Sequence, residues 1–333
     1  ESFGICELKQ TMLKNWTINT FLLVSFLCSA TGQNEGGAPG IFNGMSFTEN
    51  LQPDPNQVCG MSNPNGLVAN VKVPKDYSTP GQFPWVVALF SQGKYFGAGS
   101  LIAPEVVLTA ASIVVGKTDA EIVVRAGEWN TGQRSEFLPS EDRPVARVVQ
   151  HREFSYLLGA NNIALLFLAN PFELKSHIRT ICLPSQGRSF DQKRCLVTGW
   201  GKVAFNDENY SNIQKKIELP MINRAQCQDQ LRNTRLGVSF DLPASLICAG
   251  GEKDAGDCLG DGGSALFCPM EADPSRYEQA GIVNWGIGCQ EENVPAVYTN
   301  VEMFRDWIYE HMAQNSNSVP FAAGQLPSNY KQE

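Results

Sequence analysis

The stretch with the clearest chemical potential is Asp257-Cys258-Leu259-Gly260-Asp261-Gly262-Gly263-Ser264-Ala265-Leu266, which runs on through apolar residues to Cys268. Its glycines permit a tight, partly left-handed loop. Successive backbone N–H groups in such a loop converge on one point and hold developing negative charge, as acyl transfer requires. Acyl transfer by a serine also needs a nucleophilic hydroxyl, an imidazole to carry its proton and a carboxylate to orient the imidazole. The loop offers a hydroxyl at Ser264 and a carboxylate at Asp261, a residue placed to be buried inside the turn. The chain's histidines are His151, His177 and His311. Each reads as a surface or packing residue rather than a base.

The elements that must carry this loop are short. Trp85 to Phe90, Val106 to Thr109, Ile122 to Arg125, Val145 to Val149, Ile163 to Leu168, Cys195 to Thr198, Ile213 to Leu219 and Ala280 to Val283 are apolar, β-branched runs separated by turns. Such runs without helical periods between them predict a barrel or sandwich. The one convincing helix is the last element, where Val301, Phe304, Ile308 and Met312 share a face. No repeat, heptad or membrane-spanning run is found.

The chain has 333 residues, a net charge of −8 and no Lys/Arg cluster, which excludes nucleic acid and anionic membrane as expected partners. Residues 1–11 read as an upstream extension, and 12–30 as a signal peptide: Lys14, the apolar run Phe21 to Cys28, then Ser29-Ala30 for cleavage. Residues 31–58 are rich in Gly, Asn, Pro and Gln and predict a flexible arm, and 314–333 a loose tail. The domain proper is 59–313. Eight of the ten cysteines fall outside the leader, an even number that implies a disulfide framework in a secreted, extracellular protein. Spacing alone does not select the pairs. Asn209-Tyr210-Ser211 is an N-glycosylation acceptor.

Across 59–312 the chain resembles the trypsin/chymotrypsin-type serine proteases. The resemblance rests on Gln82-Phe83-Pro84-Trp85, Gly99-Ser100-Leu101-Ile102, Leu108-Thr109-Ala110-Ala111, Ile181-Cys182-Leu183-Pro184, Thr198-Gly199-Trp200-Gly201, Ile247-Cys248-Ala249-Gly250, Asn284-Trp285-Gly286 and Val297-Tyr298-Thr299, all in family order. It implies an all-β fold of two packed antiparallel six-stranded β-barrels with a C-terminal α-helix. It implies the disulfides Cys59–Cys182, Cys195–Cys268, Cys227–Cys248 and Cys258–Cys289, and an oxyanion-type loop at Gly260, Asp261 and Gly262. Arg125-Ala126-Gly127-Glu128-Trp129-Asn130 and Glu141-Asp142-Arg143 resemble the clip-domain serine protease homologues of arthropod haemolymph, of the prophenoloxidase-activating-factor type. Residues 31–58 hold no cysteine, so the six-cysteine clip module is not expected there.

Where the family reads TAAHC, NDIALL and GDSGG, this chain has Ser112, Asn162 and Gly262 in place of the histidine, aspartate and serine. A hydroxyl without a base, an amide and a glycine cannot fill those roles. Catalytic residues are therefore expected to be none, with no metal and no cofactor. Gly97 and Ile113 replace the two cysteines that tie the family's histidine loop, which predicts a packed substitute for that bridge. No IVGG precedes Trp85; the activation site falls around Val71-Lys72-Val73-Pro74-Lys75, and the partner of Asp261 stays open.

The pocket-like positions are Gly256, Asp257, Asn284, Trp285, Gly286 and Ala296. Peptide binding there by strand addition and a cleft without ligand are both open. The expected function is a secreted pseudoprotease that binds extracellular proteins, proteases or zymogens of a haemolymph cascade among them, as a regulator or cofactor in innate immunity or melanisation. Two rivals stand beside it: an active endopeptidase using Ser264, and an adhesion or pattern-recognition protein.

Overall fold

The structure is a computed structural model that describes residues 58–133, 136–202, 210–253, 261–288 and 291–316. The first barrel is built from β1 (Val86–Ser91), β2 (Lys94–Ala103), β3 (Val106–Thr109), β4 (Ile122–Ala126), β5 (Glu141–Gln150) and β6 (Ala164–Leu168). It closes in the order β1-β2-β3-β6-β5-β4. The second uses β7 (Arg194–Gly199), β8 (Lys215–Ile222), β9 (Leu246–Gly250), β10 (Ala265–Pro269), β11 (Tyr277–Trp285) and β12 (Pro295–Asn300), closed as β10-β11-β12-β9-β8-β7. Every pairing within the barrels is antiparallel. The all-β, two-barrel fold expected from the sequence is the fold observed.

β6 shows why an unbroken apolar run belongs in such a fold. Its side chains alternate across the sheet. Ala164, Leu166 and Leu168 point into the first barrel with Val87, Leu101 and Val124. Leu165 and Phe167, with the preceding Ile163, join Trp85, Trp200, Phe267 and Ile282 in the layer between the barrels. Both faces are buried, so no polar alternation is possible. The second barrel has its own interior of Val197, Leu219, Ala249, Leu266 and Tyr298.

Among the described residues, three α-helices accompany the barrels: α1 (Ala111–Val114), α2 (Arg224–Arg232) and α3 (Arg305–Ser316). α3 lays Ile308, with Phe304 just before it, on the inter-barrel layer, and Trp307 and Met312 pack at its margin. It runs to Ser316, past the boundary at 313 expected for the domain. α2 corrects the expectation of a single helix. Asn223 caps it by accepting from Gln226 N at 3.0 Å, and only Cys227 and Leu231 are buried. Two buried positions in nine residues leave no stripe to detect.

Disulfides join Cys59 to Cys182, Cys195 to Cys268 and Cys227 to Cys248. Cys258, Cys289, Asn209, the leader, the arm at 31–57 and the tail at 317–333 lie outside the described residues. No helix among the described residues is long and apolar enough to cross a membrane.

Candidate functional site

Ser112 lies on α1 just after β3, Asn162 just before β6, and Asn284 at the end of β11. The fold brings these three together from both barrels. Asn162, fully buried, accepts on Oδ1 from Ser112 N at 2.8 Å and donates from Nδ2 to Ser112 Oγ at 3.0 Å and to Asn284 Oδ1 at 2.8 Å. Asn284 Nδ2 donates to Gly159 O at 2.7 Å and to Thr299 Oγ1 at 3.1 Å. Thr299 Oγ1 returns the chain by donating to Asn162 O at 2.9 Å. Backbone groups fix both amide orientations: Ser112 N–H can only donate and Gly159 C=O can only accept. None of the four side chains is a carboxylate or an imidazole.

The glycine loop faces this circuit across Ile113. A Cβ at Gly262 would lie 2.7 Å from Ile113 Cγ2, and one at Gly97 2.8 Å from Ile113 Cδ1. The isoleucine thus fills the space between Gly97 and the loop and covers the position a side chain at 262 would need. Gly263 is tighter: φ is +87°, and a Cβ would meet Thr109 Oγ1 at 2.2 Å and Ala98 O at 2.4 Å. The loop is tied to β2 by Ala98 N donating to Gly262 O at 3.3 Å, and to β11 by Gly263 N donating to Val283 O at 3.2 Å.

Asp261 is fully buried, as its place in the loop predicts. Its partner is Tyr95, whose hydroxyl donates to Oδ1 at 2.7 Å. Oδ2 has no partner in hydrogen-bond geometry and lies against Gly199, where an added Cβ would sit 2.2 Å away. Burial pushes this carboxyl from 3.8 up to about 7, with the Tyr95 hydrogen bond pulling the other way. The Tyr95 hydroxyl is raised well above its ordinary value by burial and by Asp261. Ser264 is also fully buried, and its Oγ has no hydrogen-bond partner.

A family model described as Trypsin matches residues 73–308, most of the chain. The chain belongs to the trypsin family. Among its relatives, the phenoloxidase-activating factor 2 of Galleria mellonella is 44% identical over 271 residues, covering 77% of this chain and 89% of that one. The inactive CLIP domain-containing serine protease A8 of Anopheles gambiae is 41% identical over 259 residues, 75% of this chain and 70% of the relative. The A28 protein of the same species, also named inactive, is 38% identical over 282 residues, 82% and 73% respectively.

His151 packs edge-on against Phe304 and at a tilt against Trp307, at ring distances of 5.2 and 5.4 Å. His177 is buried, with Nε2 3.1 Å from Pro139 O, and His311 Nδ1 is 2.8 Å from Trp307 O. None of the three touches Ser264. Of the expected pocket-like positions, Trp285 donates from Nε1 to Leu158 O at 3.0 Å, so both Asn284 and Trp285 hold the 158–159 backbone. Gly286 follows Trp285, and Ala296 is half-buried on β12. Gly256, Asp257 and Gly260 lie outside the described residues. The segment 71–76 is largely exposed.

Sequence reasoning did not find Tyr95 or Asn284 as members of this site. Tyr95 stands 166 residues from Asp261, and no local spacing links them. Asn284 was visible as a wall residue, and its bond to Asn162 follows only from the contact between barrels.

Proposed function

We propose that this protein is a secreted, catalytically silent member of the trypsin family that works by binding other extracellular proteins, as a regulator or cofactor of a serine protease cascade such as phenoloxidase activation. The observation that carries this reading is the state of the three triad positions. Ser112, Asn162 and Gly262 offer no base, no charged orienter and no nucleophile, and Asn162 has committed its donors to Ser112 and Asn284. Acyl transfer needs all three roles in one place. The relatives named inactive, and the one named as an activating factor, support the same reading. The leader at 12–30, the even cysteine set and the Asn209 acceptor support secretion.

Under this reading the cleft around Asn284, Trp285, Gly286 and Ala296 is a surface for protein contact rather than for turnover. The test uses the purified mature protein. A serine-directed fluorophosphonate leaves it unlabelled, and a panel of chromogenic peptides is not hydrolysed. Added to the proteases and zymogens of its own extracellular fluid, it changes the rate of phenoloxidase activation without turnover of its own. Labelling abolished by Ser264→Ala would establish an endopeptidase instead. Retention on microbial polysaccharide with no effect on the cascade would establish an adhesion protein.

A further inference from the structure

The three disulfides among the described residues sit in different chemical surroundings. Cys195 and Cys268 are fully buried in the interior of the second barrel, and Cys227 and Cys248 in the apolar cluster around Leu231 and Leu246. Sulfurs in such places are inert, because no thiol reaches them and an apolar environment disfavours a thiolate. Cys59–Cys182 differs on both counts. Its Cys182 is buried, but Cys59 is partly exposed, so an incoming thiol has a sulfur to attack.

The second difference is a cation. Arg276, immediately before β11, donates from Nη2 to Cys59 Sγ and to Cys182 Sγ, each at 3.3 Å. Its Nε donates to Cys59 O at 3.0 Å, which holds the guanidinium against the bridge. The backbone supports this placement, since Arg276 pairs with Met61 and Tyr277 N donates to Gly60 O at 2.9 Å. Arg276 makes no ion pair among the described residues, and the neighbouring acid Glu278 is taken by Arg188 at 2.8 Å. The charge on Arg276 is therefore directed at sulfur rather than at a carboxylate.

A disulfide exchanges when a thiolate attacks one sulfur and the other leaves as a thiolate, and a leaving thiol of lower pKa leaves faster. An adjacent arginine lowers that pKa, and its N–H bonds strengthen as the sulfur becomes anionic. We propose that Cys59–Cys182 is an exchange-active disulfide opened by a dithiol, with Arg276 as the positioning cation that holds the departing Cys182 thiolate. One thiolate of the dithiol attacks Cys59 Sγ, the S–S bond breaks, and its electron pair leaves on Cys182 Sγ. The second thiolate of the dithiol then attacks its own partner sulfur in the mixed disulfide, which closes the oxidised dithiol and releases Cys59. The two electrons that the dithiol gives up are the two that the bridge receives, and its protons pass to solvent or to the new thiols. Opening removes a covalent tie between residues 123 apart. The segment after Cys59 is then fastened to the barrels by noncovalent contacts only, among them the bonds of Gly60 to Thr180 and Tyr277. This chemistry stands apart from the cascade role, since neither the cleft nor the triad positions take part in it.

The test treats the native full chain with dithiothreitol near neutral pH, traps free thiols by alkylation at intervals and locates them by peptide mass spectrometry. Cys59 and Cys182 are expected to be labelled about tenfold or more sooner than Cys195, Cys268, Cys227 and Cys248. Arg276→Gln is expected to slow the opening about three- to tenfold, and Arg276→Lys to keep most of the wild-type rate. A loosened segment changes access by itself, so a second readout follows the charge. In the opened protein, the pH at which Cys182 reaches half its maximal alkylation rate is expected to be about one unit higher in Arg276→Gln than in wild type. Three bridges that open together overturn the proposal. So does an Arg276→Gln protein that opens as fast as wild type or faster, or one whose Cys182 titrates at the wild-type pH.

Discussion

Asn162 and Asn284 meet amide to amide across the two barrels, Nδ2 of the first donating to Oδ1 of the second at 2.8 Å. Neither amide can turn over. Asn162 would present its NH₂ to the Ser112 amide, and Asn284 its oxygen to the Gly159 carbonyl. Asn162→Asp, the residue that the motif comparison would put there, therefore places a carboxylate oxygen against Asn284 Oδ1 and removes both donors. The expected loss is about 1–3 kcal/mol at neutral pH. A carboxyl disfavoured in its charged form has a raised folded pKa, so the loss grows as pH rises above ~4 and shrinks below it. Urea unfolding of both proteins at pH 7 and at pH 4 reads this difference, and equal stability at pH 7 would refute it.

A side chain added at position 262, which is read as the nucleophile position only from its motif, meets Ile113 before anything else. Gly262→Ser puts its Cβ 2.7 Å from Ile113 Cγ2, an overpacked contact expected to cost about 1–3 kcal/mol. In an Ile113→Ala background the methyl is gone and the cost should fall. A double-mutant cycle measures the coupling, expected at about 0.5–3 kcal/mol for residues in contact. A coupling indistinguishable from zero would mean that Ile113 does not guard the position.

How much of this was legible in the sequence depended on whether the signal was local. The barrels announce themselves in short β-branched runs, and the run 163–168 reads as a strand because both its faces are buried. The three motifs read as vacant triad positions are visible in the sequence. What fills them is not: Ile113 reaches Gly97 and the glycine loop only through the fold, and the Asn162–Asn284 bond joins residues 122 apart. Helix α2 escaped for a different reason, since its polar surface leaves only Cys227 and Leu231 facing inward. Its N-cap, Asn223, is a residue type that favours helix starts and is the signal that could have marked it.

Gly263 should tolerate substitution far less well than its neighbour. Gly263→Ala combines a left-handed backbone at φ +87° with a Cβ 2.4 Å from Ala98 O. Backbone strain of about 1–3 kcal/mol adds to a clash with main chain that cannot rotate away. Gly262→Ala meets only a methyl of Ile113. Thermal unfolding of the two variants side by side should place Gly263→Ala well below Gly262→Ala, and the reverse order would show that the loop is built differently.

Asp261 should leave a signature in the pH dependence of stability. Its carboxyl is raised from 3.8 to about 7 by burial, so between those values the folded chain holds a proton that the unfolded chain has lost. Stability from this group is full below the unfolded value and falls as pH rises, by up to about 1.4 kcal/mol per unit, levelling above 7. Asp261→Asn removes this slope. Glu136, also raised to about 7 by burial and by Glu128, contributes in the same direction and keeps its part in that variant. Tyr95→Phe deletes the hydroxyl that favours the charged carboxylate, so the decline should extend to higher pH than in wild type. Denaturant unfolding from pH 4 to pH 9 distinguishes the three proteins. Parallel profiles for wild type and Asp261→Asn would mean that the buried carboxyl keeps an ordinary pKa, its charge held by the Tyr95 hydroxyl together with the Gly201 and Trp200 backbone and Lys215.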